Sequence, residues 1–210
     1  MRILVSGATA TMRGLLQRHR QHLGVLMTPQ HTGRICALPL PWACDNAAFS
    51  NPDDDKFWRL CMNSWDVTEY HPPMWVAVPD VVGNHSETVR LFGWWCDYWR
   101  SELGCIPWRL AFVLQDGCRS GDVPWDEIRA VFVGGTTGFK LRGTADLIAE
   151  AKQRGKLVHV GRVNTLRRIK FAHDMGADTV DGTAFSRFPA TYIGRACRYL
   201  ESLEQSPTLF

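Results

Sequence analysis

The chain contains no C-x-x-C pair, no internal repeat, no linker and no low-complexity tract. Each absence excludes something. Seven cysteines (36, 44, 61, 96, 105, 118 and 197) are odd in number and scattered, which argues against a structural zinc site and against a disulfide framework. A reducing, cytoplasmic setting fits that usage. Nowhere do roughly 18 apolar residues run together, so no membrane-spanning helix is expected. The opening MRILVSGATA holds a three-residue apolar run, too short for a signal peptide. Gly7 opens no G-x-G-x-x-G after the first apolar run, so the dinucleotide-binding fingerprint is missing. Neither sign of charge dominates the whole chain, whose formal net charge is +3.

What is present is an ordinary globular balance, 45% apolar and 21% charged, with nine tryptophans. Such flat side chains serve a core or stack on bases. A chain of 210 residues holds one large α/β domain or two small ones, and we read residues 1–210 as one. Charge is uneven along it. Between Lys152 and Arg198 stand ten Lys or Arg and three Asp, +7 net, which leaves −4 elsewhere. That asymmetry points to a polyanionic partner; a solvated basic helix face is the plainer alternative.

Eight short apolar or β-branched runs recur: 2–6, 24–27, 42–44, 74–78, 109–114, 130–133, 157–160 and 178–180. Helical periodicity predicts helices over 10–22, 54–64, 85–103, 125–129, 144–153, 165–175 and 190–204, with only a turn of helix expected between the second and third strands. Asn84 and Asn164 stand where N-caps belong, and Gly104, Gly155 and Gly176 where helices stop. Alternating strand and helix implies a parallel sheet with right-handed crossovers. Eight units predict a compact (β/α)8 TIM barrel, with a doubly wound open sheet as the alternative.

Barrel chemistry belongs at the carboxyl ends of the strands. Those positions read Asp45-Asn46, Pro79-Asp80, Gln115-Asp116-Gly117, Gly134-Gly135, Gly161-Arg162 and Asp181-Gly182. Asp45, Asp80 and Asp181 thus share one rim with Gln115 and the paired glycines. Asp181 ends an apolar strand, where a carboxylate caps the next helix, binds a metal or attacks a substrate. Asp45 and Asp80 have a plain reading as turn residues. No His/Cys/Asp cluster at metal-ligand spacing accompanies them, and no metal is expected. GGTTGFK (134–140) misses the phosphate-loop spacing, while Gly161-Arg162 and Gly182-Thr183 occupy the usual phosphate-binding loops of a barrel.

In order along the chain these stretches resemble one family, the tRNA-guanine transglycosylases with their DNA-modifying relatives, the 7-deazaguanine DNA transglycosylases. Its T-D-S-G-G-Y-Q is similar to CDNAAFS (44–50), its F-G-I-x-Q-G to FVLQDG (112–117), and its V-G-G-L to FVGGTT (132–137). The family's G-V-G-x-P-x-D…G-x-D-M-F-D-C resembles GRVNTLRRI…GADTVDG, and its opening P-V-G-T-A-A-T-V-K-A-L resembles SGATATMRGL (6–15). The resemblance implies a (β/α)8 barrel that exchanges guanine in a polynucleotide for a 7-deazaguanine, without a cofactor. It implies Asp181 as nucleophile and Asp45 as acid/base. Asp80, Gln115, Gly134 and Gly135 would then hold the base.

Two departures matter. Ala47 and Ala48 replace the two glycines of S-G-G-Y, which narrows room for the base. The C-x-C-x₂-C…H zinc subdomain of the tRNA enzymes has only Cys197 in its region. That favours DNA as partner over tRNA, with Arg162, Arg167, Arg168 and Arg187 as phosphate contacts. The chemistry suits the residues. A carboxylate beneath the sugar attacks C1′, as retaining glycosidases do, and a carboxylate acceptor matches the N–H donors of a guanine edge. A barrel enzyme acting on a small phosphorylated or nucleoside substrate is the rival, and a catalytically silent nucleic-acid-binding subunit a third.

Overall fold

The structure is a computed structural model and describes residues 1–7, 9–31, 39–50, 52–68 and 70–205. Eight parallel strands close into one barrel in chain order. Its elements run β1 (Arg2–Val5), α1 (Ala10–Arg18), β2 (Leu23–Met27), β3 (Trp42–Cys44), α2 (Asp54–Thr68), β4 (Val76–Ala77), α3 (His85–Leu103) and β5 (Leu110–Leu114). They continue as β6 (Ile128–Val133), α4 (Thr137–Arg142), α5 (Ala145–Gln153), β7 (Leu157–Val160), α6 (Leu166–Asp174), β8 (Thr179–Asp181), α7 (Thr183–Arg187) and α8 (Pro189–Gln205). Closure is made by β1 against β8, with Ile3 opposite Val180 and Leu4 opposite Asp181. The expected (β/α)8 barrel is therefore the fold, and the open sheet is excluded.

Strands buried on both faces explain the near-continuous apolar runs. Alternate residues still go opposite ways. Ile3, Val5, Val25, Met27, Trp42, Cys44 and Val76 pack outward under the helices. Leu4, Leu26, Ala43, Trp75, Ala77, Ala111, Val113 and Ala130 fill the barrel interior. The small alanines make room for one large ring, Trp75, which is fully buried. Around it stand Phe132, with centroids 5.7 Å apart, and His159 at 4.7 Å. This aromatic layer is the floor on which the carboxyl-end rim is built.

The tryptophans serve the core. Trp42, Trp75, Trp95 and Trp99 are among the largest fully buried side chains, and only Trp94 among the nine is an exposed large hydrophobic. The six described cysteines are free; Cys36 lies outside the described residues, as does much of the connection between β2 and β3.

Several boundaries differ from the periodicity. The helix expected over 125–129 is a turn, because Pro124 and Trp125 fold back, with Glu127 N–H donating to Pro124 O at 3.0 Å and the Trp125 indole donating to Ser120 O at 3.0 Å. Strand β6 already begins at Ile128. Asn84 caps α3 as expected, accepting from Glu87 N–H. Asn164 does not cap α6: Thr165 does, and Asn164 instead accepts from Ala184 N–H at the start of α7. Gly104, Gly155 and Gly176 all carry positive φ at helix ends.

Truncating the interior ring should be costly. Trp75→Ala is expected to lower unfolding free energy by about 3 to 5 kcal/mol, read as a lower denaturant midpoint with an unchanged slope.

Candidate active site

The strand ends place Asp45 after β3, Asp80 after β4, Gln115 after β5, Gly134 and Gly135 after β6, and Asp181 at the end of β8. All six line one cavity of about 280 Å³, just below the range of small-molecule pockets, roughly 300–1,000 Å³. A second cavity of about 630 Å³ adjoins it, and Asp45 and Asp181 line both. Ser6, Thr28, Ser50, Thr183 and Arg187 line the second one. Several hydroxyls therefore border the larger cavity, whereas the smaller one adds Phe49, Val113 and Phe132.

Asp80 is held at both oxygens. Asn46 Nδ2 donates to Oδ1 at 2.8 Å and Gln115 Nε2 to Oδ2 at 2.6 Å. Each amide is fixed in turn: Asn46 Nδ2 also donates to Val78 O, and Gln115 Oε1 accepts from Gly83 N–H. One lone pair per carboxylate oxygen is left for a ligand, a spacing suited to two neighbouring N–H donors. Burial pushes Asp80 upward and the two amides pull it back, leaving it above the usual carboxylate range.

The glycines after β6 have distinct reasons. A Cβ on Gly134 would lie 2.8 Å from Gln115 Nε2, so only glycine lets that side chain approach. Gly135 has φ 72°, the left-handed region that glycine enters freely. Gly134 N–H is spent on Leu114 O at 3.1 Å.

Asp181 is bonded at one oxygen. Oδ1 accepts from Arg162 N–H at 2.9 Å and pairs with His159 Nε2 at 3.3 Å. Burial alone would raise this carboxyl; His159, the Arg162 amide and the Lys140 ammonium outweigh it and hold Asp181 below the usual range. Presenting that amide requires Arg162 at φ 64°, an uncommon conformation for a residue with a Cβ. Its guanidinium then lies 3.5 Å over the Phe49 ring at the cavity mouth.

Asp45 is the opposite case. Burial, the charge of Asp181 and, more weakly, Asp80 raise it to about 7, against the Ala47 amide that donates to Oδ1 at 3.2 Å. Ala47 replaces a glycine of the resembled motif and still adopts φ 60°, so the turn keeps a glycine-like backbone. Two carboxylates at one rim are therefore pushed in opposite directions, Asp181 downward and Asp45 upward to about 7, the arrangement that divides acid from nucleophile in carboxylate enzymes.

The basic residues scatter more than the charge count implied. Arg162 lines the small cavity and Arg187 the large one. Arg168 lines a narrow cleft with Lys140, and Arg167 is exposed. At the other end of the barrel, Lys152 pairs with Asp178 at 2.8 Å and Lys156 donates to Ile128 O. The stretch 152–198 thus does not face the rim as a unit, because its two strands and its helices run between both ends.

Sequence reasoning missed Asn46, Lys140 and His159 as site residues. Lys140 Nζ donates to Gly161 O at 2.8 Å, and burial lowers it to about 8 despite the pull of Asp181. His159 had one signal, a lone imidazole in the apolar run LVHV. Another cavity, of about 600 Å³, opens at the strands' amino ends, but its charged groups are already engaged, Met1 amine with Glu204 at 3.2 Å and His22 with Glu201 at 3.4 Å. Among the described residues no His/Cys/Asp/Glu group is placed to hold a metal ion, and no helix is long and apolar enough to cross a membrane. No family model and no curated protein matches the chain.

The raised Asp45 has a thermodynamic signature. Between the unfolded value near 4 and the folded value near 7, the folded state binds more protons, so stability falls as pH rises through that window. Asp45→Asn removes this cost while keeping the Oδ1 acceptor. The variant should exceed the wild type by about 2 to 4 kcal/mol at pH 8, with the gain shrinking toward pH 4, measured by denaturant unfolding at both pH values.

Proposed function

We propose that the protein is a transglycosylase that replaces guanine in DNA with a 7-deazaguanine through a covalent glycosyl-aspartate intermediate. The observation that carries this reading is that Asp45 and Asp181 line both cavities. A base in the small cavity and a sugar with its phosphates in the large one would meet at those two carboxylates. The resemblance to the tRNA-guanine transglycosylases and their DNA-modifying relatives, carried by the same strand-end residues, agrees with it.

The steps follow from the protonation states. Oδ2 of Asp181 donates a lone pair to C1′ as the C1′–N9 bond breaks and its electrons withdraw onto the purine. Asp45, protonated in part near pH 7, supplies the proton that the leaving guanine takes up. The incoming deazaguanine returns a proton to Asp45, attacks C1′ through N9, and releases the Asp181 carboxylate. Asp80 accepts from guanine N1–H and N2–H, while the second hydrogen of Gln115 Nε2 addresses O6. A duplex target must leave its stack, at a cost of a few kcal/mol, which Phe49 and Arg162 at the mouth and Arg187 beside the larger cavity would offset by stacking and phosphate contact.

A second reading is a barrel enzyme on a small nucleoside phosphate. It is favoured by the cleft of about 30 Å³ between Lys140, Arg162 and Arg168, which has the look of a phosphate cup. Duplex DNA, tRNA and free nucleotides, each incubated with candidate deazaguanines and followed by nucleoside mass spectrometry, separate the readings. Exchange confined to DNA supports ours; exchange confined to tRNA or to free nucleotides replaces it.

Two isosteric variants sharpen the test. Asp181→Asn should still bind DNA yet form no adduct on a denaturing gel, with exchange slowed by about three or more orders of magnitude. Asp80→Asn turns part of an acceptor edge into a donor, so guanine recognition should fail while the nucleophile survives. DNA affinity should also fall steeply with salt in all three proteins. Near-normal exchange by Asp181→Asn would remove the nucleophile from this reading, leaving Asp181 as the acceptor for Arg162 N–H and His159.

A further inference from the structure

His159 stands inside the barrel against Asp181, and no step above uses it. It is fully buried, on β7, between the rings of Trp75 (centroids 4.7 Å) and Phe132 (4.4 Å). Both ring nitrogens are engaged by residues of β8: Nδ1 with Thr179 Oγ1 at 2.9 Å and Nε2 with Asp181 Oδ1 at 3.3 Å. A hydroxyl can donate or accept, whereas an ionised carboxylate only accepts. The one assignment that satisfies both contacts with a neutral ring puts the hydrogen on Nε2, with the Thr179 hydroxyl donating to Nδ1.

We propose that His159 is the positioning residue of Asp181: a neutral imidazole, locked by Thr179, that donates to Oδ1 and leaves Oδ2 as the oxygen that forms the bond. The inference rests on the reading of Asp181 as nucleophile. Two donors on the same oxygen, His159 Nε2–H and Arg162 N–H, fix the carboxylate plane. As Asp181 turns from carboxylate to ester and back, the charge on Oδ1 falls and then recovers, so a donor there favours release of the glycosyl group. A ring that merely filled the core would need neither contact; phenylalanine has the shape for the space between Trp75 and Phe132.

The surrounding charges are few. Asp45 after β3, Asp80 after β4, Lys140 on α4 and Arg162 after β7 line the small cavity with Asp181. Arg187 on α7 and His31 face it across the larger one, and Arg168 on α6 shares the Lys140 cleft. Burial lowers His159, with Lys140 adding to the effect and the hydrogen bond and charge of Asp181 opposing it, a balance that favours the neutral ring.

The test is direct titration. Carboxyl-carbon NMR of Asp181, assigned against Asp181→Asn, and imidazole-nitrogen NMR of His159 are followed with pH in wild type, His159→Phe and His159→Gln. We expect a neutral Nε2–H ring from pH 6 to 9. In His159→Phe the Asp181 midpoint should rise by about one unit or more, since burial then acts with one donor fewer. In His159→Gln, whose amide can donate to the same oxygen, the midpoint should stay near the wild-type value. In exchange assays the acidic limb of the kcat/KM profile should shift upward with the midpoint, with kcat down roughly ten- to hundredfold and KM little changed. An unshifted Asp181 midpoint in His159→Phe, or a cationic His159 at neutral pH, overturns the proposal. If His159→Phe does not fold, Thr179→Val carries the test: it leaves the ring in place but frees Nδ1, and an unchanged tautomer and unchanged midpoint there overturn the proposal equally. Should wild type exchange no base on any nucleic acid, the proposed activity fails, while the titrations still decide what His159 does.

Discussion

Gathering three partly buried carboxylates at one end of a barrel creates the constraint on which the rest of the site depends. Close like charges in a water-poor space cannot all ionise unaided. Each of the three meets that constraint differently. Asp181 stays ionised because a backbone amide, an imidazole and a nearby ammonium favour its charge. Asp80 is braced by two side-chain amides. Asp45 has the backbone amides of Ala47 and Asn46 against burial and the charges of both others, and it is raised the furthest toward neutral pH. The group left holding a proton near neutral pH is thus chosen by the distribution of donors around the rim.

That distribution uses backbone conformations that are otherwise unfavourable. Ala47 and Arg162 are the two described non-glycine residues with positive φ, and each aims its own N–H at one of these carboxylates. Strain of order 1–3 kcal/mol at such residues persists only where surrounding structure over-determines it. Here the closed barrel sets Arg162 after β7 beside Asp181 of the neighbouring β8, while Ala47 and Asp45 share the turn after β3. Gly134 belongs to the same logic: the missing side chain is what lets Gln115 reach Asp80.

The barrel below is correspondingly simple. Alanines at Ala43, Ala77, Ala111 and Ala130 leave one space that Trp75 fills, and Phe132 and His159 complete the layer under the rim. His159 belongs to both worlds, packed as an aromatic ring from below and hydrogen-bonded as a polar group from above.

Eight strand units, their order and the residues at their carboxyl ends were legible in the chain, because a strand buried on both faces must read as a short apolar run and a barrel puts the following residue on its rim. Asp45, Asp80, Gln115, Gly134, Gly135 and Asp181 were found that way. The helix expected at 125–129 was not real, since a turn held by Pro124 and the Trp125 indole shares its local pattern. The cap role of Asn164 fell to the adjacent Thr165, a difference of one residue that periodicity does not resolve. Which basic residues reach the rim was also hidden, because a run such as 152–198 passes from one end of the barrel to the other. The sequence by itself determined the fold and the rim, through apolar period and strand count. Only the tertiary structure decided the roles: Asn46, Lys140 and His159 act on carboxylates from other strands, and protonation depends on distances of a few ångströms between residues far apart in the chain.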